Sequence, residues 1–279
     1  AGTSTTPSYL GIYTRNTQSE HVPGSAWRLN AEAPSTTRRA HFTLTRKNLT
    51  DLYRALDTTR ITMPGLDRAL RAAQNLADLT HEDVRMAIAS LLRIGEPGDG
   101  LLKQLVDGIG PVAALAIITA VGRGETTAHD AVQGLADTGT EAAEHSQMPA
   151  AIDRWAVRAG EADAVGSDLD KIARIGGRLV IPDDDEWPRM LDDLGPAAPL
   201  GLWVRGAASL SAALTRSVAV VGARAASNYG TKCASDLAWD LAARGITVVS
   251  GGAFGIDAAA HRAAIARESP TVAFMAGGV

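Results

Sequence analysis

The order of elements predicts an α/β protein, half of a doubly wound parallel sheet preceded by a small all-helical domain. Two observations carry this. From Ser217 the chain alternates apolar strand-like runs with helical stretches: strand, helix, strand, helix, strand. The runs VAVV and TVV are continuously apolar, as in strands buried on both faces. Before that point, between residues 48 and 145, apolar residues recur at spacings of three and four, the period of a helix.

Taken in order, residues 1–47 are rich in Ser, Thr, Pro and Asn and predict a poorly ordered arm. Leu49, Leu52, Leu56 and Leu66, Leu70, Ala73 open the helical domain, 48–145. HEDVRMAIASLLRI continues it, EPGDG breaks it, and LLKQLVDGIGPVAALAIITAV reads as helix, tight GIG turn, helix. Residues 121–150 predict a loop or short helix. The α/β domain, 146–279, begins with AIDRWAVRAG and DLDKIARIGG as helices, RLVIP as a short strand, and a further strand around Leu202–Val204. SVAVVG, ITVVSGG and TVAFMAGG are then predicted as adjacent parallel strands. The helix between the first two carries Leu237 and Leu241 and stops at Gly245.

The composition suits a packed core, at 46% apolar and 21% charged residues. The net charge of −4 excludes a wholly basic nucleic-acid binder, but charge is unevenly spread. Residues 81–150 carry 4 basic and 10 acidic side chains, whereas residues 201–279 carry 7 and 4. The acidic helical segment is therefore a poor DNA contact, and the glycine-rich segment is locally basic. A single cysteine, Cys233, excludes an intrachain disulfide and is expected to be a small buried residue. No apolar run is long enough to span a membrane, and the first residues lack a signal-peptide pattern. A soluble, cytoplasmic protein is expected.

The candidate site lies at the carboxyl ends of the strands, where such sheets bind ligands. The loops Gly222–Gly230 and Ser250–Asp257 converge there with whatever follows Gly277 and Gly278. Glycines let backbone N–H groups approach an anion, and the helix N-termini add partial positive charge. Arg224 can fork onto a phosphate, Ser250 can donate a hydroxyl, and Lys232 sits near the start of the first helix. Asp257 reads as the cap of the next helix. His261, four residues on, reads as a packing or helix-bonding residue, since no nucleophile or metal ligand accompanies it. The remaining histidines have no metal spacing, and neither a catalytic residue nor a cofactor is expected. GxxxxGK[ST] and GxGxxG are both absent, which excludes a P-loop NTPase and disfavours NAD binding.

The combination VAVVGARAASNYG, VVSGGAFGIDAAAHRAA, TVAFMAGGV resembles the DNA-processing protein A family, also called DprA or Smf. VIPDDDEWPRMLDDLGPAAPLGLWVRG and LLRIGEPGD…LVDGIGPVAAL extend the resemblance upstream. It implies a Rossmann-like domain behind a SAM-like or helix-hairpin-helix-like helical domain. It implies a non-enzymatic protein that binds single-stranded DNA in the cytoplasm, protects incoming strands in natural transformation and helps load the RecA recombinase. By motif, Gly222, Arg224, Ser227 and Gly230 match the family's first phosphate-binding loop. Ser250, Gly251, Gly252, Gly255 and Asp257 match its second. Ala223 stands where the family has Ser or Thr, so one hydroxyl contact is missing. The family continues past AGGV with more strands. The Rossmann-like sheet is thus expected to be incomplete at the C-terminus, leaving the last strand as an exposed edge. The family's homodimer is doubtful for this chain on the same ground. In GIGPVA no basic residue follows the turn, which favours packing over DNA contact. The alternative is a phosphoribohydrolase-like, nucleotide-binding enzyme on a related fold. Its PGGxGT loop and catalytic Glu are absent. A non-functional remnant is the third reading.

Overall fold

The computed structural model describes residues 11–14, 79–137 and 139–275. The expectations for the rest of the first 78 residues, including the leucines at 49–70, and for Gly277 and Gly278 lie outside the described residues.

The helical part begins where Thr80 and Asp83 form a reciprocal capping box at the start of α1 (His81–Ile94). The Asp99 carboxylate caps α2 (Gly100–Ile109) through the N–H groups of Leu101 and Leu102. Gly110 then adopts a φ of 82°, open to glycine, and Pro111 starts α3 (Pro111–Gly122). The chain bends by 115° across this turn. The GIG turn is therefore a helical hairpin, and the uncharged α3 packs through Ala113, Ala114, Ile117 and Ile118. Residues 121–150 supply α4 (Ala128–Ala136) and a 3-10 turn, Glu141–Glu144. α5 (Met148–Ala156) and α6 (Val165–Arg174) follow. Leu91, Leu105, Ile117, Met148, Ile152 and Trp155 are fully buried in one apolar cluster, which reaches Leu179, Ile181 and Trp203 of the sheet region. Among the described residues, no single helix is long and apolar enough to cross a membrane.

Among the described residues the sheet has six strands: β1 (Gly11–Thr14), β2 (Gly177–Val180), β3 (Leu202–Arg205), β4 (Ser217–Ala219), β5 (Thr247–Ser250) and β6 (Thr271–Met275). Their spatial order is β2-β3-β1-β6-β5-β4. β4, β5 and β6 are adjacent and parallel as expected, with Val218 beside Val248 and Val249 beside Val272. The connections are α8 (Asn228–Ala243) and α9 (Ile256–Ala266); a short α7 (Leu210–Leu214) precedes β4. The rest of the sheet is mixed: β1 runs antiparallel to β6 and parallel to β3, and β2 is antiparallel to β3.

Two expectations are corrected here. Residues 11–14 belong to the sheet rather than to an unstructured arm, because β1 fills the slot between β3 and β6. For the same reason the last strand is not an edge. Among the described residues the edge strands are β2 and β4, and in β4 Val218 is 39% accessible. The helices α8 and α9 meet mainly through alanines. Ala234, Ala238 and Ala242 of α8 are buried, as are Ala259, Ala260, Ala263 and Ala264 of α9. Small side chains let two helices approach closely, and this sets the spacing of the two loops that precede them.

Candidate nucleic-acid interface

Both glycine loops leave the carboxyl ends of adjacent parallel strands and lead into helices. β5 is tied to the start of the first loop twice. The Val220 N–H donates to the Val249 carbonyl at 2.8 Å, and the Ser250 hydroxyl donates to the Val220 carbonyl at 2.6 Å. Ser250 is buried. Its hydroxyl is spent on bracing the first loop from below rather than presented at the surface, where a phosphate contact was expected of it.

The first loop ends in the α8 cap. Ser227 Oγ accepts from the Gly230 N–H at 3.1 Å, and the Ser227 carbonyl accepts from Thr231 Oγ1 at 3.0 Å. Ser227 and Gly230 are thus brought together, as parts of one helix cap. Gly222 is exposed, but a Cβ there would lie 2.7 Å from Ile256 Cγ1, so the loop depends on its absence to rest on α9.

At Gly255 the backbone takes φ 82°, ψ −123°. A side chain there would sit on the carbonyl oxygens of Ala223 and Arg224. The Ile256 N–H also donates to the Ala223 carbonyl at 3.3 Å. The two loops therefore touch backbone to backbone. Gly251 and Gly252 lie further along the second loop. The Gly251 carbonyl accepts from His261 Nε2 at 2.9 Å, and His261 Nδ1 meets Thr271 Oγ1 at 2.7 Å. His261 is a tether between α9, β6 and the loop, in line with its packing reading. Gly252 is exposed, with the Met275 side chain on one side.

Arg224 is exposed on the first loop, and no ion pair or hydrogen bond engages it among the described residues. Lys232 is different. Its Nζ pairs with Asp236 Oδ2 at 2.8 Å, one helical turn on, and that bond raises its pKa. Its charge is partly offset, so it is the weaker anchor.

Asp257 is not the cap. Gly255 holds the N-cap position of α9 without a side-chain bond, and Asp257 falls in the first turn, buried. Its Oδ2 lies 2.8 Å from where a Cβ on Gly251 would stand. A carboxylate there complements the positive end of α9 from within. The first turn of α8 carries no acid. Of the two helix starts, the one that follows Arg224 in the chain is the one whose first turn holds no acid.

Cys233 is exposed rather than buried, because the alanine face of α8 points inward. The sequence reading passed over Phe254, which is 86% exposed in the second loop, and Tyr229, 79% exposed in the first turn of α8. The signal available was an aromatic residue inside a glycine-rich loop. Among the described residues, no group of three metal-ligating side chains is assembled.

Fold and site together define a Rossmann-like α/β protein in which two glycine loops abut at the carboxyl ends of adjacent parallel strands. The profile of the family described as DNA recombination-mediator protein A matches residues 178–279. A Mycobacterium tuberculosis protein named as DNA processing protein DprA is 43% identical over 202 residues, 69% of this chain and 46% of that protein. Protein Smf of Escherichia coli is 37% identical over 102 residues, 36% of this chain and 26% of its own length. Protein Smf of Synechocystis is 31% identical over 104 residues, 37% of this chain and 26% of its own length. The chain belongs to the DprA/Smf family, and it spans about half the length of its mycobacterial relative or less of the others.

Proposed function

We propose that this chain carries the single-stranded DNA-binding loops of a recombination mediator. In this reading it protects incoming strands in natural transformation and helps load the RecA recombinase in the cytoplasm. It acts by binding, with no catalytic residue and no cofactor. The homodimer of the full-length family is not assigned to this chain. Arg224 is the observation that carries the reading. It is an exposed cation without an ion pair among the described residues, set beside the acid-free start of α8. The family relationship supports a role in DNA processing and recombination.

Anisotropy with labelled oligo-dT, repeated over a range of salt and competed with AMP, tests it. The full chain should bind the oligonucleotide, and AMP should not displace it. Arg224→Ala should weaken every single-stranded sequence alike and flatten the log–log salt slope by about 0.7 for one lost phosphate contact. An Arg224→Ala chain with unchanged affinity and slope would remove phosphate binding from this loop.

A further inference from the structure

We propose that Phe254 is a stacking platform for a base of the bound strand, set beside the phosphate contact at Arg224; the proposal rests on the reading of the site given above. Phe254 is 86% exposed although it is flanked by well-braced structure. One residue on, Gly255 is locked against the carbonyls of Ala223 and Arg224. On the other side, Gly251 is held by His261 and β5 is bonded to Val220 through Ser250. The loop is fixed at both ends, and the ring it presents contributes nothing to the core. An apolar ring held in water by a constrained backbone points to a ligand with an apolar face.

The position says which ligand. Phe254 and Arg224 come from abutting backbones: Gly255, next to Phe254, lies on the Arg224 carbonyl. The backbones that carry an exposed cation and an exposed aromatic ring therefore abut. A nucleotide offers the matching pair, a phosphate and a planar base, within one repeating unit. Stacking is tolerant of sequence because every base has a π-face. Arg224 would thus supply the charge-dependent part of binding and Phe254 the base-dependent part.

The test compares oligo-dT with an abasic strand of equal length and charge, binding each to the full chain and to its variants. The unaltered chain should prefer oligo-dT. Phe254→Ala should weaken oligo-dT binding roughly 5- to 150-fold, the range for one lost stacking contact. Its binding to the abasic strand and its salt slope should stay unchanged. Phe254→Trp should restore the preference. Arg224→Ala should instead weaken both strands alike. If Phe254→Ala bound oligo-dT as the unaltered chain does, or lost both strands equally, stacking would be overturned while DNA binding stood. If the unaltered chain bound neither strand, the DNA-binding reading would fall, and this proposal with it.

Discussion

Replacing Gly255 with alanine tests whether the two glycine loops form one unit. The structure separates two costs. The first is backbone strain, since φ 82°, ψ −123° is a region that L-residues avoid, at about 1–3 kcal/mol. The second is contact. The added methyl would meet the carbonyl oxygens of Ala223 and Arg224, which are backbone atoms and cannot rotate away. The loops must part, and the Ile256 N–H to Ala223 bond goes with them, about 1 kcal/mol more. The expected sum is about 2–4 kcal/mol, or a fall in Tm of roughly 3–7 °C for a chain of this size.

Gly98 supplies the control. It also has a positive φ, 75°, but a Cβ there meets nothing within 4 Å. Gly98→Ala should show backbone strain alone, about 1–2 kcal/mol. Thermal melts of the two variants, with oligo-dT anisotropy on each, separate the terms. Gly255→Ala should melt earlier than Gly98→Ala and should lose DNA binding, whereas Gly98→Ala should keep it. Equal melting temperatures would refute the abutment of the two loops.

Three further outcomes are expected. Ser250→Ala removes a buried bond to the Val220 carbonyl and should cost about 1–3 kcal/mol in denaturant melts, with the salt slope of DNA binding unchanged. Asp99→Ala removes the α2 cap and strands the buried Trp155 indole N–H, which it now accepts at 3.0 Å; a loss of about 2–4 kcal/mol should appear in thermal melts, with Asp99→Asn milder. Acid should loosen the junction after β2. Burial alone would raise Asp184 and Glu186, but bonds from Arg85 and Ile181 to Asp184, and from Arg178 and Leu210 to Glu186, hold both below their ordinary 3.8 and 4.5. Their stabilisation is then complete above those values and drains as pH falls through the lower folded ones, so Asp184→Asn should flatten the acid limb of a stability–pH curve.

The sequence made β4, β5 and β6 legible because each is an apolar run closed by glycine or a turn, and such signals are local. The insertion of β1 was not legible. Four residues near the start of the chain pair with Val204 and Phe274, and nothing in GIYT encodes partners so far away. Arg224 could be read, since the absence of nearby acids is itself a sequence fact. The Ser250 bond to Val220 was not legible, because residue type shows a hydroxyl but not the direction it faces. Asp257 was displaced from the cap by two residues, within the usual uncertainty of a helix boundary. Cys233 was misplaced for a different reason. The core-facing side of α8 is its alanine stripe, so Leu237 stays 51% exposed. Ranking by hydrophobicity favours leucine, whereas close helix packing favours alanine.

The two loops look equivalent as glycine patterns, yet their electrostatics differ. Each leads into a helix start that favours negative charge. At α9 that demand is met from within by Asp257, whose carboxylate lies under Gly251. An incoming phosphate would meet a like charge there. At α8 no acid occupies the first turn, and Arg224 stands ahead of it. The second loop is instead the braced one: Ser250 bonds to Val220, His261 bonds to Gly251, and Gly255 seats on Ala223 and Arg224. On the proposed reading the first loop draws the anion, and the second holds that loop in shape while presenting Phe254. Substitutions should divide along this line. Changes to first-loop charge should alter salt-dependent affinity at constant stability. Changes to the braces of the second loop should lower stability first, and affinity only through it.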